Sequence, residues 1–361
     1  MPAATPDPFL SPAALKKRLG AGLVLLAILL LAILLLAILL VVRFSSSLPV
    51  SQEAAPASRT LLQARAQRVR FDEPLLPIQF ASDLDPAKVA LGRALFHDPR
   101  LSRDNRISCA SCHDLSQGGV DHRVHSLGVG QKEGPINAPT VLNAALNFRQ
   151  FWDGRSPSLE DQVAGPIHNP LEMDSRWADV LLKLGKDAQL EARFVALYKS
   201  SPSAAAIQDA IAEFERSLMT PSRMDRWLLG DDEALSSEEL EGYGLFKRHG
   251  CPACHQGANV GGNMFQRFGV MQDYFAGKQP LTQADLGRFN VTGREEDRHV
   301  FKVPGLRNVA LTGPYFHDGS AATLEEAVAQ MGRFQLGIEL PQQDVKLMVL
   351  FLNALNGEVR E

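Results

Sequence analysis

Hydrophobic positions along this chain recur mostly at helical spacing, and one stretch departs from that rule. Ala21 to Val42 is an unbroken apolar run without charge, and roughly 20 apolar residues are enough to span a bilayer. Lys16, Lys17 and Arg18 precede the run and only Arg43 follows it, a bias that keeps residues 1–20 cytoplasmic. A cleavable signal peptide is the competing reading, with small residues between Glu53 and Ser58, but its apolar core is usually about 7–15 residues. The pattern therefore predicts a retained single-pass anchor over 21–42 in the inner membrane, with everything after it in the periplasm.

Beyond a Ser-, Ala- and Pro-rich linker, 43–70, the helical spacing sets in. Asp85-Pro86 combines a capping residue with proline at the first helical position and predicts a helix running to Phe96. Ile207, Ile211, Phe214 and Leu218 share one face of a second helix. Ser236 to Glu239 and Thr323 to Glu326 fit the S/T-x-x-E capping box. Val345, Met348, Val349 and Leu352 mark a last amphipathic helix. No segment alternates with period two for long, so the predicted class is all-α, with long loops at Gly118-Gly119, Gly257 and Gly261-Gly262. Gly92-x-x-Leu95-Phe96 recurs as Gly242-x-x-Leu245-Phe246, which suggests two copies of one domain type. With Thr220-Pro221-Ser222 as the boundary, the domains are 71–222 and 223–361.

Composition narrows the class further. The 361 residues suit two or three domains, and 45% hydrophobic with 22% charged residues excludes disorder and collagen-like repeats. A net charge of −4 and 7% aromatic residues give no reason to expect a nucleic-acid partner.

All four cysteines fall into Cys109-Ala-Ser-Cys112-His113 and Cys251-Pro-Ala-Cys254-His255, two copies of the c-type haem attachment motif C-x-x-C-H. Two thiols three residues apart reach the two vinyl groups of one porphyrin, and the adjacent histidine meets the iron. A zinc knuckle needs further Cys or His ligands at short spacing, and a redox dithiol does not need the histidine. Two covalent haems are the reading that uses every residue of both motifs. Function then turns on the sixth ligand: a second protein ligand favours electron transfer, whereas an open iron permits peroxide chemistry. Spacing alone does not choose among the eight methionines.

Those motifs occur in an ordered series with the runs Leu95 to Ser102, Phe151 to Arg155, Phe301 to Asn308, Pro314 to Ser320 and Thr323 to Val328. The series resembles the bacterial di-haem cytochrome c peroxidases over roughly residues 71 to 361. The resemblance implies a low-potential peroxidatic haem on Cys109, Cys112 and His113. It implies a high-potential, electron-accepting haem on Cys251, Cys254 and His255, with Met331 as its sixth ligand. Relatives that mature a tryptophan-derived quinone carry a tyrosine there, so Met331 favours a peroxidase. Glu172 and Gln162 match the polar pair beside bound peroxide, and Trp152 the tryptophan between the haems. Asn137, Thr312 and Pro314 match a calcium site between the domains. His317 lies near the electron-accepting haem in relatives, in a structural role. Hydrogen peroxide would be the substrate and a small cytochrome or copper protein the donor. The resemblance also allows a homodimer, which no feature of the sequence itself indicates. A non-enzymatic di-haem electron carrier and a protein-oxidising maturation enzyme remain the alternatives.

One position departs from the pattern. Many relatives carry an iron-blocking histidine in the Gly-x-Gly loop, where this chain has Val129. Valine cannot ligate iron, so the first haem is expected to work without reductive activation, unless His122 or His125 substitutes.

Overall fold

Asp85 caps the first helix as expected, its carboxylate accepting from the backbone N–H groups of Ala87 and Lys88, with Pro86 at the first helical position. The structure is a computed structural model that describes residues 69–80 and 83–359. Its helices are α1 (Pro86–Phe96), α2 (Leu159–His168), α3 (Trp177–Leu184), α4 (Ala188–Tyr198), α5 (Ala204–Ser217), α6 (Arg223–Leu228), α7 (Ser237–Arg248), α8 (Phe289–Thr292), α9 (Leu324–Met331) and α10 (Gln342–Asn353). Both expected capping boxes form, Ser236 with Glu239 on α7 and Thr323 with Glu326 on α9. Helices dominate, joined by long loops. The exception is an antiparallel hairpin of β1 (Phe265–Arg267) and β2 (Val300–Lys302), pairing Phe265 with Lys302. Strands of three residues are too short to leave a period-two signal, which is why the sequence does not announce them.

Among the described residues the two largest apolar cores are built alike. The first gathers α1, α2 and α5 around Leu91, Leu95, Phe96, Ile207, Ile211 and Phe214. The second gathers α6, α7 and α10 around Trp227, Tyr243, Phe246 and Phe351, and it also takes in Leu75. The internal repeat is visible in both. Gly92 lets α1 press against α5, because a Cβ there would overlap the Ala210 carbonyl; Gly242 does the same for α7 against Leu347 of α10. The repeat continues past the cysteines at a constant offset. Asn143 and Asn308 are both left-handed, at φ 59° and 60°, as are Phe151 and Phe316, at 68° and 70°. Bridges Gln150–Ser156 and Tyr315–Ala321 close equivalent turns, which lead into α2 and α9.

The Thr220-Pro221-Ser222 segment is a buried junction. Thr220 is 0% exposed. It accepts from Asn143 Nδ2 at 2.6 Å and donates to Asn308 Oδ1 at 2.9 Å, tying the two repeat-related asparagines together.

The expected inner-membrane placement is corrected. Among the described residues no helix is long and apolar enough to cross a membrane; α5, the longest of them, has 14 residues. The apolar run 21–42 that prompted the expectation lies outside the described residues, as do 1–20 and the linker up to residue 68.

Candidate haem centres

The second C-x-x-C-H follows directly on α7, where Gly250 at φ 80° turns the chain into a short 3-10 segment, Cys251–Ala253. None of the four cysteines is disulfide-bonded. His255 Nδ1 faces the Val260 carbonyl at 3.3 Å. With Nδ1–H donating there, Nε2 keeps its lone pair for a metal. Burial pulls this imidazole down to about 4, so it is neutral, the form that ligates. Met331 closes α9, and a π-helical turn, Gly332–Leu336, follows it. Cys251, Cys254, His255 and Met331 line one cavity of about 400 Å³, walled by Phe246, Leu324, Val328, Met348 and Leu352. Two thiols, an imidazole and thioethers lining one largely apolar cavity fit a covalently held haem.

The first C-x-x-C-H repeats the local design. Cys109–Ser111 forms the same 3-10 segment, and His113 Nδ1 faces the Gly119 carbonyl at 3.2 Å. Burial lowers the His113 pKa and pushes the Cys112 thiol up to about 11. The far side of this centre is where the halves differ. The residue of α2 that the repeat places opposite Met331 is Pro166, which has no ligating atom. After α2 the chain folds back on itself, with Met173 N–H donating to the Pro166 carbonyl at 3.1 Å and Ser175 N–H to that of Ile167 at 2.8 Å. That fold brings Glu172 over the end of α2, and Gln162 stands one turn below Pro166 on the same face. The Glu172 pKa is raised because burial outweighs the hydrogen bond from Asn169 Nδ2, at 2.6 Å, and the Arg155 charge. The Glu172 charge in turn raises the thiols of Cys109 and Cys112, which places it on their side of the domain.

The Gly-x-Gly loop closes against this carboxylate's own backbone. Val129, 1% exposed, donates its N–H to the Glu172 carbonyl at 2.7 Å. Gly128 permits the approach, since a Cβ there would overlap the Leu171 and Glu172 carbonyls. Through Nδ1, His122 meets the Gly313 carbonyl at 2.9 Å and His125 meets Glu133 at 3.0 Å.

Between the halves, Trp152 Nε1–H donates to the Asn137 carbonyl at 2.9 Å, and Lys302 N–H donates to the Trp152 carbonyl at 2.8 Å. Trp152 and His317, equivalent in the repeat, meet edge to face at 6.4 Å. His317 Nε2–H donates to buried Asp285 at 2.8 Å. Lys278 bridges Asp285 and Asp318 at 2.6 and 2.7 Å, so an ammonium already answers the negative charge of this cluster. Asn137, Thr312 and Pro314 all line the second cavity. Asn137 Nδ2 is held by the Arg123 and Val124 carbonyls.

The sequence profile of the di-haem cytochrome c peroxidases matches residues 86–233. The chain is 48% identical to the cytochrome c551 peroxidase of Nitrosomonas europaea, over 82% of this chain and 87% of that one. This chain belongs to the di-haem cytochrome c peroxidase family. It is 52% identical to the cytochrome c peroxidase Ccp of Escherichia coli over 79% of its own length, and that stretch is 62% of the relative's. Among solved structures it resembles a MauG-like protein associated with microbial copper homeostasis, with a TM-score of 0.68 and 28% identity, covering 79% of this chain and 94% of that one.

Two buried polar residues beside the second centre were not expected from the sequence. Lys302 is buried in the second cavity, and its position in an apolar stretch, Phe301-Lys302-Val303, was the available signal. Asp285, the partner of His317, has no signal in the sequence at all, because its burial depends on a loop closing over the hairpin.

Proposed function

We propose that this chain catalyses H2O2 + 2 e⁻ + 2 H⁺ → 2 H2O, with electrons delivered by a small cytochrome or copper protein. The observation that carries the reading is the asymmetry between the halves: a thioether at Met331 in one, and Pro166 with a half-buried carboxyl, Glu172, in the other. A covalent haem at each centre supplies the redox chemistry, held by Cys109, Cys112 and His113 in domain 71–222 and by Cys251, Cys254, His255 and Met331 in domain 223–361.

The rest falls to the chain's own residues. Glu172 takes the proton from one peroxide oxygen and returns it to the other, so that water leaves; its raised pKa suits a group that must both hold and release that proton. Gln162 orients the peroxide through its side-chain amide. Trp152, fixed by its bond to the Asn137 carbonyl and contiguous with the second cavity, lies on the electron route. Asn137, Thr312 and Pro314 would hold a calcium ion, one side-chain oxygen and two backbone carbonyls being a hard-oxygen set suited to that cation. Because Nδ2 of Asn137 is tied down, Oδ1 is its free acceptor.

Steady-state peroxide consumption with a reduced small cytochrome tests this. Glu172→Gln is expected to cost at least 100-fold in turnover while both haem spectra stay unchanged. Undiminished turnover in that variant would remove Glu172 from the chemistry. No peroxide consumption by the wild type would leave an electron carrier.

A further inference from the structure

The second cavity has a one-sided charge. Its lining includes Arg267, Lys302 and Arg307, and not one aspartate or glutamate. Arg307 is answered by Asp225, at 2.7 and 2.9 Å, and Arg267 sits at the exposed rim. Lys302 has neither outlet. It is 6% exposed, it forms no ion pair among the described residues, and burial alone acts on its pKa, pulling it down to about 8. The backbone pins the residue from both sides, through pairing with Phe265 across the hairpin and through the bond to the Trp152 carbonyl. A buried lysine without a counter-charge is costly, and long side chains avoid it by reaching water or an acid. Lys302 lines the cavity instead.

We propose that Lys302 is the counter-charge for a carboxylate on the group this cavity holds, and that the pair keeps the C-terminal haem at the higher reduction potential. This rests on the reading of the cavity as a haem site, since haem carries two carboxylates at one edge. A cation at that edge favours the reduced iron and offsets the carboxylate charge that favours the oxidised one. Lys302 is therefore a positioning and tuning residue for electron entry, acting through the cofactor edge and touching no peroxide.

The experiment uses the full-length holoprotein. Haem content by pyridine haemochrome absorbance comes first: fewer than two haems per wild-type chain defeats the cofactor reading itself. Spectroelectrochemical titration then follows each haem separately. Lys302→Met is expected to shift the one-electron reduction equilibrium of the high-potential haem about tenfold towards the oxidised form, roughly 59 mV, with the other haem unmoved. Lys302→Arg, which keeps the charge, should hold the wild-type value. Lys302→Gln makes the same charge change at similar length if the methionine variant does not assemble. Two-haem Met or Gln variants with an unshifted potential overturn the proposal. So does a wild-type potential that moves with chloride or phosphate concentration, which would assign the lysine to a free anion.

Discussion

Val129 and Glu215 each turn on a single side chain. Where many relatives place an iron-binding histidine, a buried valine holds the loop to the backbone of Glu172. The all-ferric protein is therefore expected to consume peroxide at its full rate from the first turnover, in a stopped-flow assay without pre-reduction. Ferric spectra with both haems low-spin and histidine-ligated would contradict this. Glu215 makes a different point. Burial in α5 outweighs the attraction of Arg216 and pushes this carboxyl up to about 8. Between its unfolded value, near 4.5, and 8, the folded chain holds a proton that the unfolded chain has released. Its contribution to stability is thus complete below 4.5 and is lost as pH rises through 8, at up to about 1.4 kcal/mol per pH unit. Denaturant unfolding of Glu215→Gln should be flatter than wild type across that window. Parallel pH profiles would show that the carboxyl finds another way to ionise.

Helices obey local rules that were legible, and their packing repeats. Asp85, Ser236 and Thr323 each cap the helix they were expected to cap, because a cap needs only its own first turn. The two Gly-x-x-Leu-Phe copies were legible as a repeat, but what the glycine does was not: each is the contact point of a helix crossing. Gly92→Ala and Gly242→Ala should each destabilise the folded chain by roughly 1–3 kcal/mol in denaturant titrations, since the new methyl meets a neighbouring helix's backbone carbonyl, which cannot rotate away. A change within a few tenths of a kcal/mol would mean that the helices separate freely. Hairpin β1–β2 escaped the sequence reading through its shortness, and with it the register that buries Lys302.

Across the whole molecule, one ion pair gathers segments that are far apart in the chain. Arg307, 2% exposed, makes a two-pronged contact with Asp225, 3% exposed, and also bonds the Leu76 and Ala258 carbonyls. Asp225 in turn accepts from the Ile78 and Ser222 N–H groups. Asp225→Ala leaves a buried guanidinium uncompensated, and about 3–5 kcal/mol of stability should go with it; a loss under 1 kcal/mol would mean that water enters to solvate the arginine. Together with the Asn143–Thr220–Asn308 bonds, this pair makes the expected domain boundary a closed joint. The boundary expected at Thr220-Pro221-Ser222 is buried there because both halves present an asparagine to the same threonine.

The sequence by itself determined whatever depends on neighbours in the chain: the covalent haem motifs, the helix caps, the repeat, and the absence of a histidine at Val129. Those follow from bond lengths and helical spacing, which a few residues fix. Tertiary structure decided which distant groups share a space. Eight methionines are equivalent by spacing, and packing brings two of them, Met331 and Met348, to the cavity that His255 lines. Glu172 acquires its raised pKa only when the chain folds back over α2, and Lys302 becomes an unanswered charge only when the hairpin is buried. Burial and electrostatic neighbourhood belong to the packed molecule, since desolvation depends on what surrounds a group from every side.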